Sequence, residues 1–340
     1  MEPMRAPSTP ELACHTTASG ARLYTLPLRA FAGLRANAYL AVQGDPARPD
    51  YTALVDTGSA QPDSVADLQA ALAAVRAAGE AVAWETLRRV VITHPHPDHA
   101  GGLAAVRALS PAPVAAHEWA VPILEHPEER RDAWTAAVDS HLRWAGIPLD
   151  SDYAARLRRR GQNLMQPPAG PVEALRDGDR LDGVFEVLHT PGHDGAQVCL
   201  RLDEVLLSAD HLLPHHSPPL MPERYQRGAG VRHYLASLDR VAALPGLTLA
   251  LGGHDGPMPD PQGRIQGLRA RLQAKLAAAR AAAQSPTTIF DLTHRLHPTL
   301  RPLQAILLLD QTAALVEYLV ETGAVQADTR DDGALLVQAR

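Results

Sequence analysis

Cysteine is nearly absent: Cys14 and Cys199 are the two in 340 residues, too few for a disulfide framework. Cys199 stands in the alternating run Val198-Cys199-Leu200-Arg201-Leu202 and reads as a buried structural thiol, not a ligand or nucleophile. No apolar run is long enough to span a bilayer, and the opening Met1-Glu2-Pro3-Met4-Arg5-Ala6-Pro7 holds no stretch of signal-peptide length. A cytoplasmic protein with no membrane partner is therefore expected. An excess of positive charge is also lacking; the net charge of −6 argues against a broad nucleic-acid surface. Lysine is scarce while alanine and arginine abound, a coding bias that carries no functional information. Nor is there a Gly-x-Ser-x-Gly elbow to mark a serine nucleophile. The length still allows a full core, as one large domain plus a small one.

What the chain does have is histidine at the ends of strands. Val90-Val91-Ile92-Thr93 is a β-branched run that stops at His94-Pro95-His96-Pro97-Asp98-His99-Ala100-Gly101-Gly102. The prolines prevent the strand from continuing, so three imidazoles and one carboxylate are displayed from a loop. These are the nitrogen and oxygen donors that zinc and similar divalent ions prefer. Buried together, they need a cation or a dense hydrogen-bond network to offset desolvation. The layout then recurs. Phe185-Glu186-Val187-Leu188 ends in His189-Thr190-Pro191-Gly192-His193-Asp194, Glu204 to Ala209 ends in Asp210-His211, and Leu247 to Leu251 ends in Gly252-Gly253-His254-Asp255-Gly256-Pro257.

His-x-His-x-Asp-His after an apolar strand, followed by His-Thr-Pro-Gly-His, resembles the signature of the metallo-β-lactamase superfamily. It is most similar to the dinuclear glyoxalase II-like branch of thioesterases, lactonases and related nucleases. The resemblance covers about residues 20 to 265 and implies an α/β fold: an internally duplicated αββα sandwich of two face-to-face sheets under outer helices. By that match His94, His96 and His193 hold one divalent metal; Asp98, His99 and His254 hold another; Asp210 bridges them. Two zinc ions are the default, with manganese or iron as alternatives. The family more often has glycine before the bridging aspartate, where Ala209 stands here. His189 belongs by the same match to the supporting shell. Asp56, in Val55-Asp56-Thr57-Gly58, either accepts the second N–H of a ligand imidazole or simply ends a strand at a turn.

Around this frame, residues 1–20 are polar and Pro-rich and read as a loose arm, and the sandwich is expected over 21–262. Within it, about 127–170 is charged, helical and aromatic, a helical insertion placed where it could cap the site. Its Arg156-Leu157-Arg158-Arg159-Arg160 reads as a solvated helix face in preference to an anion grip. His117 reads as a surface residue, His215 and His216 either as substrate-orienting or as exposed loop, and His233 as structural. Residues 263–340 read as a helical C-terminal domain closed by a hairpin at Asp331-Asp332-Gly333, resembling the α+β winged-helix tail of some of these hydrolases. From Ser285 onward seven acids face four arginines, which disfavours nucleic acid as partner; homodimerisation or shaping a wall of the site is the expected role.

The implied function is a metallo-hydrolase in which a hydroxide shared by two cations attacks a small thioester, ester or lactone, with Asp98 and Asp210 as its catalytic carboxylates. The alternatives are a phosphodiesterase or endoribonuclease of the winged-tail subgroup, and a mono-iron oxidoreductase resembling persulfide dioxygenases. Against the last, none of the residues that match the second metal's ligands is missing.

Overall fold

The computed structural model describes residues 12–163, 170–299 and 302–340. In chain order it begins with β1 (Ala13–Thr16), β2 (Arg22–Phe31), β3 (Leu34–Asp45) and β4 (Arg48–Val55). There follow α1 (Pro62–Ala77), β5 (Arg89–Ile92), α2 (Pro97–Ala100), α3 (Leu103–Leu109) and β6 (Val114–His117). Next come α4 (Val121–Glu125), α5 (Pro127–Ala145), α6 (Asp152–Asn163) and β7 (Val172–Leu175). The second half holds β8 (Arg180–Leu181), β9 (Phe185–His189), β10 (Val198–Leu202), β11 (Val205–Ala209), α7 (Val231–Ala242) and β12 (Leu249–Gly252). It closes with α8 (Pro261–Ala282), α9 (Ile289–Leu296), α10 (Pro302–Glu321) and the hairpin β13 (Val325–Thr329) and β14 (Leu335–Ala339).

One sheet has the order β1-β2-β3-β4-β5-β6-β7 and the other β12-β11-β10-β9-β8. Each combines antiparallel hairpins with parallel pairs, β4 to β7 in the first and β11 with β12 in the second. Strand alternation sets the layers. Val198 and Leu200 point between the sheets with Val91, Val187 and Leu207, while Cys199, one position away, packs outward with Tyr234 and Leu238 of α7. The larger sheet turns its outer face to Leu68, Leu72 and Val75 of α1 and Leu103 and Val106 of α3. The result is the αββα sandwich. Cys199 is buried as expected, and burial pushes its thiol up to about 12, so it does not act as a thiolate.

Ala13–Thr16 pairs with β2, so the looseness expected up to residue 20 does not extend to this strand. The rest of that arm, residues 1–11, and the end of the insertion, 164–169, lie outside the described residues. The insertion is helical: α5 and α6 are joined by the Arg158–Asp139 pair at 2.8 Å, with Leu157 buried. Arg158 of the arginine run thus ties two helices together and is not merely solvated. Leu309, Val316 and Leu319 of α10 fall in the same buried cluster as Leu142 of α5 and the apolar faces of α7 and α8. Tail and insertion therefore share one core with the smaller sheet. No helix among the described residues is long and apolar enough to cross a membrane.

Candidate metal centre

Every chemistry-bearing side chain sits where a strand is forced to stop. His94 follows β5, His193 lies in the turn after β9, Asp210 ends β11 and His254 follows β12. Because parallel neighbours point the same way, these stops meet at one edge of the sandwich. Among the described residues, three groups of convergent donor atoms form there: His94, His96 and His193; His94, His99 and Asp210; and Asp98, His99 and His254. The seven residues expected as ligands are thus brought together.

In the first group His96 Nδ1 lies 3.1 Å from His94 Nε2 and 3.0 Å from His193 Nε2. Those separations approach the edge of a tetrahedron with bonds of about 2.0–2.1 Å, roughly 3.3 Å. In the other group His254 Nε2 is 3.5 Å from Asp98 Oδ2, and His99 Nε2 is 3.8 Å from it. Asp210 faces both: Oδ2 is 3.4 Å from His193 Nε2 and 3.3 Å from His254 Nε2, and Oδ1 is 3.4 Å from His99 Nε2.

The outward nitrogens decide what the inward ones can do. His193 Nδ1 donates to the Pro219 carbonyl at 2.8 Å, His254 Nδ1 to the Arg35 carbonyl, and His99 Nδ1 to Asp56 Oδ2 at 2.9 Å. Carbonyls and carboxylates only accept, so each of these rings carries its proton outside and, when neutral, turns a bare lone pair inward. His94 Nδ1 rests 3.1 Å from Thr93 Oγ1, whose own proton goes to Asp56 Oδ2 at 2.8 Å. Asp56 is therefore a support and not only a turn residue; its Oδ1 also accepts the Thr93 N–H. Buried lone pairs aimed at one another and at carboxylate oxygens repel unless a cation lies among them. His99 Nε2 and Asp210 Oδ1 are buried with no hydrogen-bond partner, and a Cβ on Gly253 would collide with Asp210 Oδ1 and His99 Cε1. The donor set fits divalent metal.

Electrostatics separates the two groups. Burial, and then the neighbouring imidazoles, hold His94 well below the ordinary histidine value, and burial and His193 bring His96 to about 3. Burial also pulls His99 down, but Asp210 and Asp98 outweigh it and hold the ring well above 6.5. His254 behaves alike, burial being outweighed by Asp210. Burial pushes the Asp210 carboxyl up, and His99 and His254 more than offset that, leaving it well below the usual range.

Backbone geometry is committed to the same purpose. Ala209 takes φ 45° and Asp56 φ 61°, in the left-handed region where a residue with a Cβ costs on the order of 1–3 kcal/mol. A glycine at 209 would adopt it freely, which gives the departure from the family's usual residue a physical cost.

Several supports leave no clear mark in the sequence. Asn37 Nδ2 donates to the carbonyls of Gly252 and Asp255, at 3.1 and 2.8 Å, and Tyr39 Oη to Gly252 O at 2.6 Å. Together they clamp the turn that carries His254. A polar Asn37 heading the apolar run Ala38 to Val42 is the available signal. Asp194 is fully buried, with Oδ2 3.6 Å from His96 Nε2 and 2.7 Å from Gln226 Nε2. His189 stands apart from the cluster: its Nε2 donates to the Gly195 carbonyl at 2.8 Å, bracing the His193 turn. His117 is buried, not on the surface, and stacks on His189 with ring centroids 3.8 Å apart. His215 and His216 lie in a loop, their carbonyls held by Arg271 and Arg264 of α8, and their residues are exposed. His233 pairs with Glu223 at 3.0 Å.

Comparison with known proteins agrees with this geometry. Residues 32–254 match the model of the metallo-beta-lactamase superfamily. A probable metallo-hydrolase of Bacillus subtilis, YqjP, is 26% identical over 286 residues, 81% of this chain and 86% of that one. A hydroxyacylglutathione hydrolase of a Marinomonas species is 24% identical over 177 residues, 50% of this chain and 48% of the relative. Among solved structures, a metallo-beta-lactamase family protein from Thermus thermophilus superposes with a TM-score of 0.74 at 29% identity, covering 94% of this chain and 98% of its own. The chain belongs to the metallo-beta-lactamase superfamily and is one of its metallo-hydrolases.

Proposed function

We propose that this metallo-hydrolase acts on a small ester, thioester or lactone through two divalent ions, zinc by default. The observation that carries the reading is the position of Asp210, whose two oxygens face His193 and His254 on one side and His99 on the other. One carboxylate serves both donor groups, as a dinuclear site requires. His94, His96 and His193 would hold one ion, Asp98, His99 and His254 the other. When bound, the ions supply Lewis-acid polarisation of the acyl oxygen and a water acidic enough to react near neutral pH.

The chain's own residues do the rest. Asp98, partly exposed, has Oδ2 directed at the His254 side of the centre, where it can orient the attacking water and accept its proton. The water oxygen forms the new bond to the acyl carbon, the C–O or C–S bond breaks, and the proton passes to the departing alkoxide or thiolate. Pro219, Arg35, Thr93 and Asp56 keep the imidazoles in one tautomer throughout. A small substrate is favoured by the adjoining cavity of about 380 Å³, lined in part by Pro95 and His96, a volume suited to a small molecule. The half-length similarity to a hydroxyacylglutathione hydrolase supports acyl chemistry. For the winged-helix-like tail, Glu317 of α10 accepts from the backbone N–H groups of Glu223 and Arg224, which supports a role in shaping a wall of the site. A homodimer in the cytoplasm is the expected setting, with nucleic acid disfavoured.

The test is metal analysis of the purified protein coupled to a hydrolysis panel: a glutathione thioester, an acyl-CoA, a homoserine lactone, a β-lactam, bis-p-nitrophenyl phosphate and single-stranded RNA. About two zinc ions per chain with thioester, ester or lactone turnover is expected. Preferential cleavage of the phosphodiester or RNA would overturn the substrate class, and one iron without hydrolysis would overturn the dinuclear reading.

A further inference from the structure

The cavity beside the centre has a chemical character that the metal ligands do not explain. It lies between α5 of the insertion and the loop from Met221 to Gln226. Ile123, Trp134, Met221 and Tyr225 give it apolar and aromatic walls, and Trp134 and Tyr225 meet edge to face with ring centroids 5.8 Å apart. Three arginines also line it, Arg130, Arg131 and Arg224, and among the described lining residues there is no carboxylate. In a chain of net charge −6, that is a local inversion of sign next to a site built for cations.

The three arginines are not equivalent. Arg131 pairs with Asp132 at 2.8 Å, and Arg224 lies over the Trp144 ring at 5.3 Å and donates to Ser140. Arg130 lines the cavity together with His96, and its charge acts on both His96 and buried Asp194. The loop wall is held in place at two points. Gln226 is tied to buried Asp194, and the Glu223–Arg224 backbone to Glu317 of the tail. A preformed apolar cavity with a guanidinium beside the metal centre matches an oxyanion carried on an apolar body.

We propose that this cavity is a specificity subsite for acyl substrates that combine an apolar chain with an anionic group, a carboxylate or phosphate, and that Arg130 recognises the anion. The proposal rests on the hydrolase reading for the reaction and on the cavity alone for the selectivity. The test uses the metal-loaded protein and three thioesters of one acyl length. The first is an N-acetylcysteamine thioester ending in methyl, the second its counterpart ending in carboxylate, and the third the CoA thioester of the methyl-ended chain, which places phosphate in the leaving group. Arg130→Gln and Arg130→Lys are compared with wild type, and binding of 4-phenylbutane sulfonate is followed by titration calorimetry as a readout independent of turnover.

Wild type should favour one anionic thioester over the neutral one by about 10- to 100-fold in kcat/KM, the range of a charge-assisted hydrogen bond. The carboxylate and CoA arms show which anion is meant. In Arg130→Gln that preference should collapse while turnover of the neutral thioester stays within a few-fold; Arg130→Lys should restore part of it. Equal kcat/KM for neutral and anionic thioesters, or sulfonate binding unchanged in Arg130→Gln, overturns the subsite and leaves the hydrolase standing. Sulfonate binding that depends on Arg130, with no thioester hydrolysed, supports the subsite and overturns the acyl-hydrolase reading instead.

Discussion

The two halves of the candidate metal centre both contain imidazoles but are opposite in their electrostatics. The His94–His96–His193 half is all imidazole, and burial keeps His94 and His96 neutral far into the acid range. In the Asp98–His99–His254 half carboxylates overcome the same burial and favour protons on His99 and His254. A neutral ring presents its lone pair without competition, whereas a ring that prefers a proton must give it up before it can bind a metal. The negative field that attracts the proton also attracts a divalent cation more strongly, since the cation carries twice the charge. One half is therefore organised by desolvation and the other by charge.

The largest effect is expected where the halves join. Asp210→Ala should remove both ions and lower hydrolysis by roughly a thousandfold or more, read by metal analysis and turnover together; retention of either property would separate Asp210 from the centre. His193→Ala and His254→Ala should each leave about one equivalent of metal, in opposite halves. If each variant loses both ions, the halves are one cooperative unit and the contrast between them has no consequence for binding.

Proton release sharpens the contrast further. With folded pKa values raised above 6.5, His99 and His254 contribute to the stability of the chelated protein below about pH 6.5, and that contribution is lost as pH rises through their folded values. Zinc added at or below about pH 6.5 must displace those protons, while His94 and His96, both with lowered values, have few to yield. Titration of the chelated protein in weak buffer should show proton release that persists in His193→Ala and falls in His254→Ala. The gain in Tm on adding zinc should grow from about pH 6 to about pH 8. A Tm gain that is flat across this range would mean that the carboxylate half holds no proton to displace.

The candidate ligands are legible in the sequence because each is a local event: an apolar strand, a proline or glycine break, then a donor. The sandwich follows from the same repetition. The supports are not legible, because they are defined by distance in space. Asn37 and Gly252 are 215 positions apart, and the acceptors for His193 and His254 are backbone carbonyls, of Pro219 and Arg35, which any residue could supply. His117 misleads because a lone histidine after a short strand gives no sign that β7 and His189 will cover it. The arginines of the cavity are hidden too. The run at 156–160 is the conspicuous one, yet it is Arg130 and Arg131, in an ordinary charged helix turn, that line the cavity beside the centre.

The smallest expected effect compares the two carboxylates that stand behind the halves. Asp56 contacts His99 directly at 2.9 Å and also takes the Thr93 hydroxyl and N–H, so it fixes one ligand of the carboxylate half and indirectly His94 as well. Asp56→Asn replaces an acceptor oxygen with a donor facing either His99 or Thr93, and should weaken zinc about 10- to 100-fold. Asp194 sits behind His96 at 3.6 Å, beyond a normal hydrogen bond, and is already engaged by Gln226 and the Ala196 N–H at 2.7 and 2.8 Å. Asp194→Asn keeps an acceptor for Ala196 and changes the His96 ring chiefly through charge, so its effect on zinc should stay below about tenfold. Competition with a chelator of known affinity measures both. Equal losses would mean that His96 depends on its carboxylate as much as His99 does, and that desolvation alone does not organise the imidazole half.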